Sequence, residues 1–536
     1  MRHLGLTGLA LLALAAGAGA EPRADDAVRG ARIWGLVSEI ASDKYEGRGT
    51  GTAGYDRAAA VVAARLKALG LKPAGTRGFY QPVDFLSQRV IAAQSAFSLA
   101  GPGGTRDFKV PEEAILSGRN ALPEGLAGVP LVFAGYGLGM PGTGHDDFAG
   151  IDVRGKVVVV ISGGPETISG SRKANARSER AKLLADRGAL GMIALTTPKQ
   201  IEIPWVRQVG LSSRAALVPK DVKARDVARP FFSASVSPAA AEALFAGSGH
   251  SFAEMSALAD ASGPVPTFAL AQTMSGRVVV DMKPLRSANL VAVLPGRDKV
   301  LAKQYVVLSA HLDGYGIGEP VNGDAIYNGA LDNAVGVGSV LEIARELTRA
   351  KQRPRRSVLF LLPTAEEAGL LGARYFVANP TVPRASLVAD INFDMPLPIF
   401  PLKSVTPVGY EESSLGETAK TVSARFGLPV VPDPFPDRNV FIRSDQYNFV
   451  KAGIPSLFMK FGFARGTPEA EVERAWRANL YHSPMDEPGQ PVMPAEIGHF
   501  SRYVTALLRA VADAPARAVW HKDSYFARGA GRAAGK

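Results

Sequence analysis

From about residue 285 onward, short uninterrupted apolar runs alternate with segments of helical periodicity. Tyr305–Leu308, Val358–Leu362, Ile391–Phe393 and Ile454–Met459 are apolar throughout, which predicts strands buried on both faces. Between them, Val335–Leu347 puts Val337, Leu341, Ala344 and Leu347 on one helical face, and a further helix is predicted around Leu370–Val377. Strands of this kind separated by helices predict an α/β fold, a mostly parallel mixed sheet sandwiched by helices. Near the N-terminus the pattern is helical from Val28 to Leu71, broken at Glu46–Gly51. Its second half places Ala59, Val62, Leu66 and Leu69 at helical spacing before a stop at Gly70.

Residues 125–265 read differently. Short strands at Leu131–Phe133, Val157–Ile161 and Gly191–Leu195 flank a helical stretch, Ala176–Arg187, and no catalytic constellation appears. This predicts a smaller β-rich α/β domain inserted into the larger one. Its basic cluster, Arg172, Lys173, Arg177, Arg180 and Lys182, is expected to be a solvated helix face. The expected division is therefore 1–20 leader, 21–124 first part of the main domain, 125–265 insertion, 266–515 remainder of the main domain, and 516–536 a disordered tail.

The leader assignment rests on Arg2 and His3, an apolar stretch from Leu4 to Ala16, and a small-x-small site at Ala18-Gly19-Ala20. A cleavable signal peptide predicts a secreted or periplasmic product with no stable membrane span, because that apolar run is too short to cross a bilayer. Across 536 residues there is no cysteine, which removes disulfides, thiolate metal sites, cysteine nucleophiles and lipid-modified cysteine. The net charge of +11 comes from 61 basic residues interspersed with 50 acidic ones, with no basic-aromatic interleaving. A solvated surface is expected, and nucleic acid is not an expected partner.

Chemistry gathers where the predicted strands end, the place at which open α/β sheets form sites. The first strand runs into Ser309-Ala310-His311-Leu312-Asp313, with His311 and Asp313 on one side by strand geometry. Asp332 stands at a helix start, Glu366-Glu367 follows the second strand, Asp394 the third, and Tyr481-His482 comes further on, with Asp486 after it. Two imidazoles and several carboxylates suit zinc, and also manganese or cobalt. One carboxylate bridging two cations would activate water, and a second, non-ligand carboxylate is needed to move the proton. The Glu366-Glu367 pair supplies both kinds of role.

Six words in order resemble the co-catalytic double-zinc aminopeptidase family, which includes glutamate carboxypeptidase-like and transferrin-receptor-like members. They are Ser309–Asp313, Asn328–Gly336, Ala365–Gly372, Asn392–Met395, Ser444–Tyr447 and Tyr481–Asp486. Tyr45–Arg48 and Gly51–Gly54 are also similar, and the insertion, with Gly135–Gly137 and Asp152–Val157, resembles a protease-associated domain. The resemblance implies two zinc ions per chain, one held by His311, Asp332 and Asp394 and the other by Asp332, Glu367 and His482, with Asp332 bridging. It implies Glu366 as general base, Tyr481 as oxyanion stabiliser, and Asp313 and Asp486 as carboxylates orienting His311 and His482. It also implies a cis peptide bond after Asp332. The expected activity is removal of N-terminal residues from a peptide substrate. Rivals left open are a carboxypeptidase or dipeptidase using Arg438, Arg443 or Lys460 for a terminal carboxylate, a one-metal glutaminyl cyclase, and a non-catalytic receptor-like binding module.

Overall fold

The computed structural model describes residues 23–527 apart from 103, 141, 142, 202 and 203; the expected signal peptide, residues 1–20, lies outside the described residues. Two large sheets organise the chain.

The first runs in the order Ala216–Pro219, Tyr80–Val90, Val280–Leu294, Ser357–Leu362, Tyr305–Ser309, Leu387–Phe393, Ser456–Gly462, Ser404–Val408, with Lys72–Pro73 also paired to Val280–Leu294. Its middle four strands, from Ser357–Leu362 to Ser456–Gly462, are parallel, and antiparallel strands flank them on both sides. The continuous apolar runs have a direct cause. In Ser357–Leu362, Val358, Phe360 and Leu362 enter the core under the helices Ala24–Ile40, Val335–Arg349 and Pro494–Asp513. Leu359 and Leu361 enter the opposite core with Phe376 and Phe449, which come from helices Leu371–Ala378 and Gln446–Lys451. Both faces are covered, so neither can be polar.

The second sheet runs Gly104–Asp107, Ala96–Gly101, Thr267–Val278, Leu122–Ala134, Val157–Ile161, Gly191–Leu195, Phe232–Val236, Ala114–Leu116. It draws on residues from 96 to 278, wider than the expected insertion limits of 125 and 265. The flanking strands Ala96–Gly101 and Thr267–Val278 are completed by pairing with one another, Thr267–Val278 also pairs with Leu122–Ala134, and Ala114–Leu116 pairs with Phe232–Val236, none of which local pattern reveals. Conversely, Ala216–Pro219 lies inside those limits yet pairs with Tyr80–Val90 of the first sheet.

Two further expectations are corrected. The C-terminal segment is packed as far as residue 527: Phe526 is buried, and the Trp520 indole N–H donates to the Gly453 carbonyl at 2.9 Å. Aromatic burial behind the strand Ser456–Gly462 holds it, where the small and basic composition suggested disorder. The basic helix, observed over Gly170–Asp186, is not wholly solvated either, since Arg180 is buried.

Candidate metal centre

The carboxyl ends of the parallel strands converge on one cleft. His311 follows Tyr305–Ser309 and is buried. Its Nδ1 faces the backbone carbonyl of Asp313 at 3.1 Å, leaving Nε2 aimed at the Asp332 carboxylate (3.3 Å) and at Asp394 (3.6 Å). His482 Nε2 stands 3.2 Å from the other Asp332 oxygen and 3.8 Å from Glu367. Asp332 therefore presents one oxygen to each imidazole. Donor atoms of His311, Asp332 and Glu367 lie within 4.8 Å of one another, as do those of His311, Glu366 and Asp394. All five expected ligand side chains thus meet, and Glu366 joins them.

Local backbone explains how each is presented. Asp332 sits in a turn between Gly329 and the helix Val335–Arg349, and the Asp332–Asn333 peptide is cis. Gly329 has φ +61°, and a Cβ there would stand 2.3 Å from the Asp332 carbonyl oxygen, so only glycine fits. Asn333 pins the turn to the next strand end: its Nδ2 donates to the Phe393 carbonyl at 2.9 Å, and its Oδ1 accepts from the Met395 N–H at 3.3 Å. Asp394 is held in that strand end.

The two expected orienting carboxylates act differently from expectation. The Asp313 carboxylate is 3.9 Å from His311 Nδ1, beyond hydrogen-bond range; it accepts instead from the backbone N–H of Glu366 (3.1 Å) and the Thr50 hydroxyl (3.1 Å). Asp486 has no bond to His482 and accepts from the N–H groups of Leu331 and Asp332, both at 2.9 Å. Each acid binds the backbone that carries another acid. Spacings of two and four residues place these carboxylates near a histidine in sequence, whereas the chain folds them onto remote peptide groups.

His482 takes its polar contact from Tyr315, whose hydroxyl lies 3.1 Å from Nδ1. Tyr481, the expected oxyanion stabiliser, lines the cleft with its ring stacked 3.5 Å from the His482 ring. Tyr315, Asn333 and Arg48 were not singled out from sequence. Arg48 is fully buried and donates to the carbonyls of Leu312, Ile40, Asn328 and Gly329 at 2.7–3.0 Å. The one available signal for Arg48 was its place in the Tyr45–Arg48 word.

Electrostatics define what the cluster lacks. Burial, and then the Asp394 and Asp445 charges, push the Glu366 carboxyl well above its usual range, against the His311 charge. Glu367 is raised by burial, Asp332 and Glu366. Burial also opposes ionisation of Asp332, but its bonds to His311 and His482 outweigh that and hold it low. His311 Nε2, Glu367 Oε1 and Asp394 Oδ1 are buried without a hydrogen-bond partner. Four acids, two imidazoles and orphaned buried donor atoms fit divalent cations, which would satisfy both the charge and the lone pairs.

Residues 289–508 match peptidase family M28. The leupeptin-inactivating enzyme 1 of Streptomyces exfoliatus is 30% identical over 190 residues, 34% of this chain and 38% of that protein. A probable zinc metalloprotease of Pyrenophora tritici-repentis is 31% identical over 112 residues, 21% of this chain and 25% of its own length. The chain thus matches well under half the length of these curated relatives. The solved aminopeptidase from Aneurinibacillus sp. strain AM-1 shares the fold at a TM-score of 0.50 and 17% identity, covering 94% of this chain and 99% of that one. Among the described residues no helix is long and apolar enough to cross a membrane.

Proposed function

We propose that the chain is a secreted, metal-dependent exopeptidase that removes N-terminal residues from peptides, working with two zinc ions. The observation that carries this reading is the Asp332 carboxylate, whose two oxygens face His311 and His482 at 3.3 and 3.2 Å. His311, Asp332 and Asp394 would hold one cation, and Asp332, Glu367 and His482 a second. Zinc bound there would polarise a peptide carbonyl and make water acidic at neutral pH. Glu366 is assigned the proton: it is buried at the cleft floor, and its raised proton affinity suits a group that takes a proton and returns it to the leaving amine. Tyr481 and Tyr315 line the His482 side, where a hydroxyl can meet developing negative charge.

Two features favour the amino-terminal reading over the carboxypeptidase one. Arg438 is tied to Glu473 at 2.8 Å, and Lys460 Nζ donates to the Asp394 carbonyl at 2.6 Å, so two of the three candidates for a terminal carboxylate are already engaged, while Arg443 stays exposed at the cleft. An apolar recess walled by Met395, Leu397, Phe400, Phe461 and Phe463 adjoins the cleft, as a pocket for the first side chain of a peptide would. The Aneurinibacillus fold relative is an aminopeptidase by name, in keeping with this.

The test is a paired assay of free-amine and N-acetylated peptides with bulky apolar first residues, alongside metal analysis of the purified protein. Cleavage confined to free amines, with about two zinc ions per chain, is expected. Turnover of the acetylated series, or one metal or none, would reject it.

A further inference from the structure

Outside the cleft, the second sheet has a carboxyl edge of its own. Val157–Ile161, Gly191–Leu195 and Phe232–Val236 are adjacent and parallel, with Leu195 level with both Ile161 and Val236. Their ends open together onto a crevice of about 930 Å³, lined among others by Ser162, Gly163, Arg177, Thr196, Lys199 and Gln200. Ligands of parallel sheets gather beyond such an edge. No acidic side chain lines this one among the described residues.

Two cations, Arg177 and Lys199, line it, and neither has an ion pair among the described residues. Arg177 donates from Nη1 to the Gly163 carbonyl at 3.1 Å and has no other partner among the described residues. One helical turn on, Arg180 is buried with Nε and Nη2 unpaired, and burial lowers its pKa to about 9. The acid nearest in effect, Asp147, is already engaged by the Leu138 N–H at 2.8 Å and by His145 at 2.9 Å. Lys199 is exposed and carries no ion pair among the described residues. Buried guanidinium groups are ordinarily paired, so Arg180 leaves uncompensated positive charge on the helix that also carries Arg177.

The backbone at the edge suits an anion as well. Gly163 and Gly164 have φ +115° and +154°, and Cβ atoms there would come within 3.0 Å of Tyr136 and 2.5 Å of Lys173. Their consecutive N–H groups make no hydrogen bond among the described residues. Free adjacent N–H groups in a glycine turn form a concave anion cradle. Beside it the Ser162 and Thr196 hydroxyls stand 3.3 Å apart.

We propose that this crevice binds a small anion through a phosphate or carboxylate group, with Arg177 and Lys199 supplying charge and the Ser162–Gly164 turn and Thr196 supplying hydrogen bonds. Recognition by a planar guanidinium suits either oxyanion, and calorimetry separates the two sources. The purified full chain is titrated with inorganic phosphate, acetate and chloride at constant ionic strength. One of the two oxyanions is expected to bind once per chain with a dissociation constant below roughly 1 mM, and chloride not to saturate. Lys199→Ala, a substitution at an exposed position, is expected to weaken binding about tenfold, and Arg177→Ala to abolish it. Lys182→Ala, whose side chain is exposed and paired to Asp186 on the same helix, is expected to leave it unchanged. Peptidase turnover is expected to be unaltered in Lys199→Ala. Absence of saturable binding by either oxyanion overturns the proposal. So does binding that survives both Arg177→Ala and Lys199→Ala, which would place the anion at the metal centre instead.

Discussion

Arg48→Ala removes a guanidinium that joins three stretches of chain. Its donors reach the carbonyls of Leu312 (3.0 Å), Ile40 (3.0 Å), Asn328 (2.7 Å) and Gly329 (2.8 Å). Leu312 lies between His311 and Asp313, and Asn328 and Gly329 lead into the turn that carries Asp332. Arg48 therefore sets the spacing between the loop of one imidazole and the loop of the shared carboxylate. It is also a cation among the cluster acids, feeling Asp486, Asp313, Asp332 and Glu367; burial nonetheless lowers its pKa to about 10. Each bond from a charged donor is worth about 1.5–3 kcal/mol net, but water entering the space left by the side chain recovers part of the sum. A net cost of about 4 kcal/mol follows, the range seen when one partner of a buried charged network is deleted. For a chain of this size the melting temperature should fall by roughly 4 °C. Arg48→Lys keeps the charge but reaches at most some of the four carbonyls, and should fall in between. Differential scanning calorimetry of the three proteins, with activity measured at limiting and saturating zinc, is the assay. A shift of under about 2 °C in Arg48→Ala, with unchanged zinc dependence, would refute the reasoning.

Other outcomes follow from the same geometry. Glu366→Gln should lower kcat by about 10³-fold while retaining the metal, seen by turnover assay and elemental analysis; unchanged kcat removes Glu366 from the proton-transfer role. Asp486→Ala should weaken zinc binding by about 10–100-fold in a chelator competition, because the Leu331 and Asp332 N–H groups lose their acceptor. Peptides beginning with Leu or Phe should be cleaved faster than those beginning with Asp, and Phe461→Ala should narrow the difference. Asp26, buried between helices Ala24–Ile40 and Pro494–Asp513, is held below the usual carboxylate range: burial opposes ionisation, but two bonds at 2.8 Å from Arg502 and one from the Arg23 N–H outweigh it. A depressed folded-state value contributes stability present above about pH 4 and lost as pH falls below it. Thermal melts from pH 7 to pH 3 should show this acid loss in the wild type and less of it in Asp26→Asn.

Much of the fold was legible because burial on two faces writes itself into a strand as an unbroken apolar run. The four parallel strands were located to within a few residues at most ends, Tyr305–Leu308 for an observed Tyr305–Ser309 and Val358–Leu362 for Ser357–Leu362. The helix after Asp332 was equally clear from its apolar stripe. The long strands Tyr80–Val90 and Val280–Leu294 were missed. Their residues alternate or are largely polar, and they are held by pairing with each other over eleven positions. The extent of the second sheet was missed for the same reason: Ser98 pairs with Ser275 and Ile115 with Ser235, more than 100 residues away, and no local period encodes that.

At the site, the identities of His311, Asp332, Glu366, Glu367, Asp394 and His482 stood out because acids and imidazoles at the ends of apolar strands are costly unless something offsets them. Residue type and position along a strand are properties of the chain itself, so sequence determines the chemistry on offer and the element that carries it. The supports are of another kind. Which carbonyls Arg48 fills, that Asp313 and Asp486 bind peptide N–H groups rather than their neighbouring histidines, and that Tyr315 meets His482 all depend on loops brought together by the sheet. A hydrogen bond needs its partners within about 3 Å and in line, and that condition is met only once distant segments have packed. Tertiary structure therefore decided the alignment, and with it the burial of Arg180 that sequence alone read as a solvated charge.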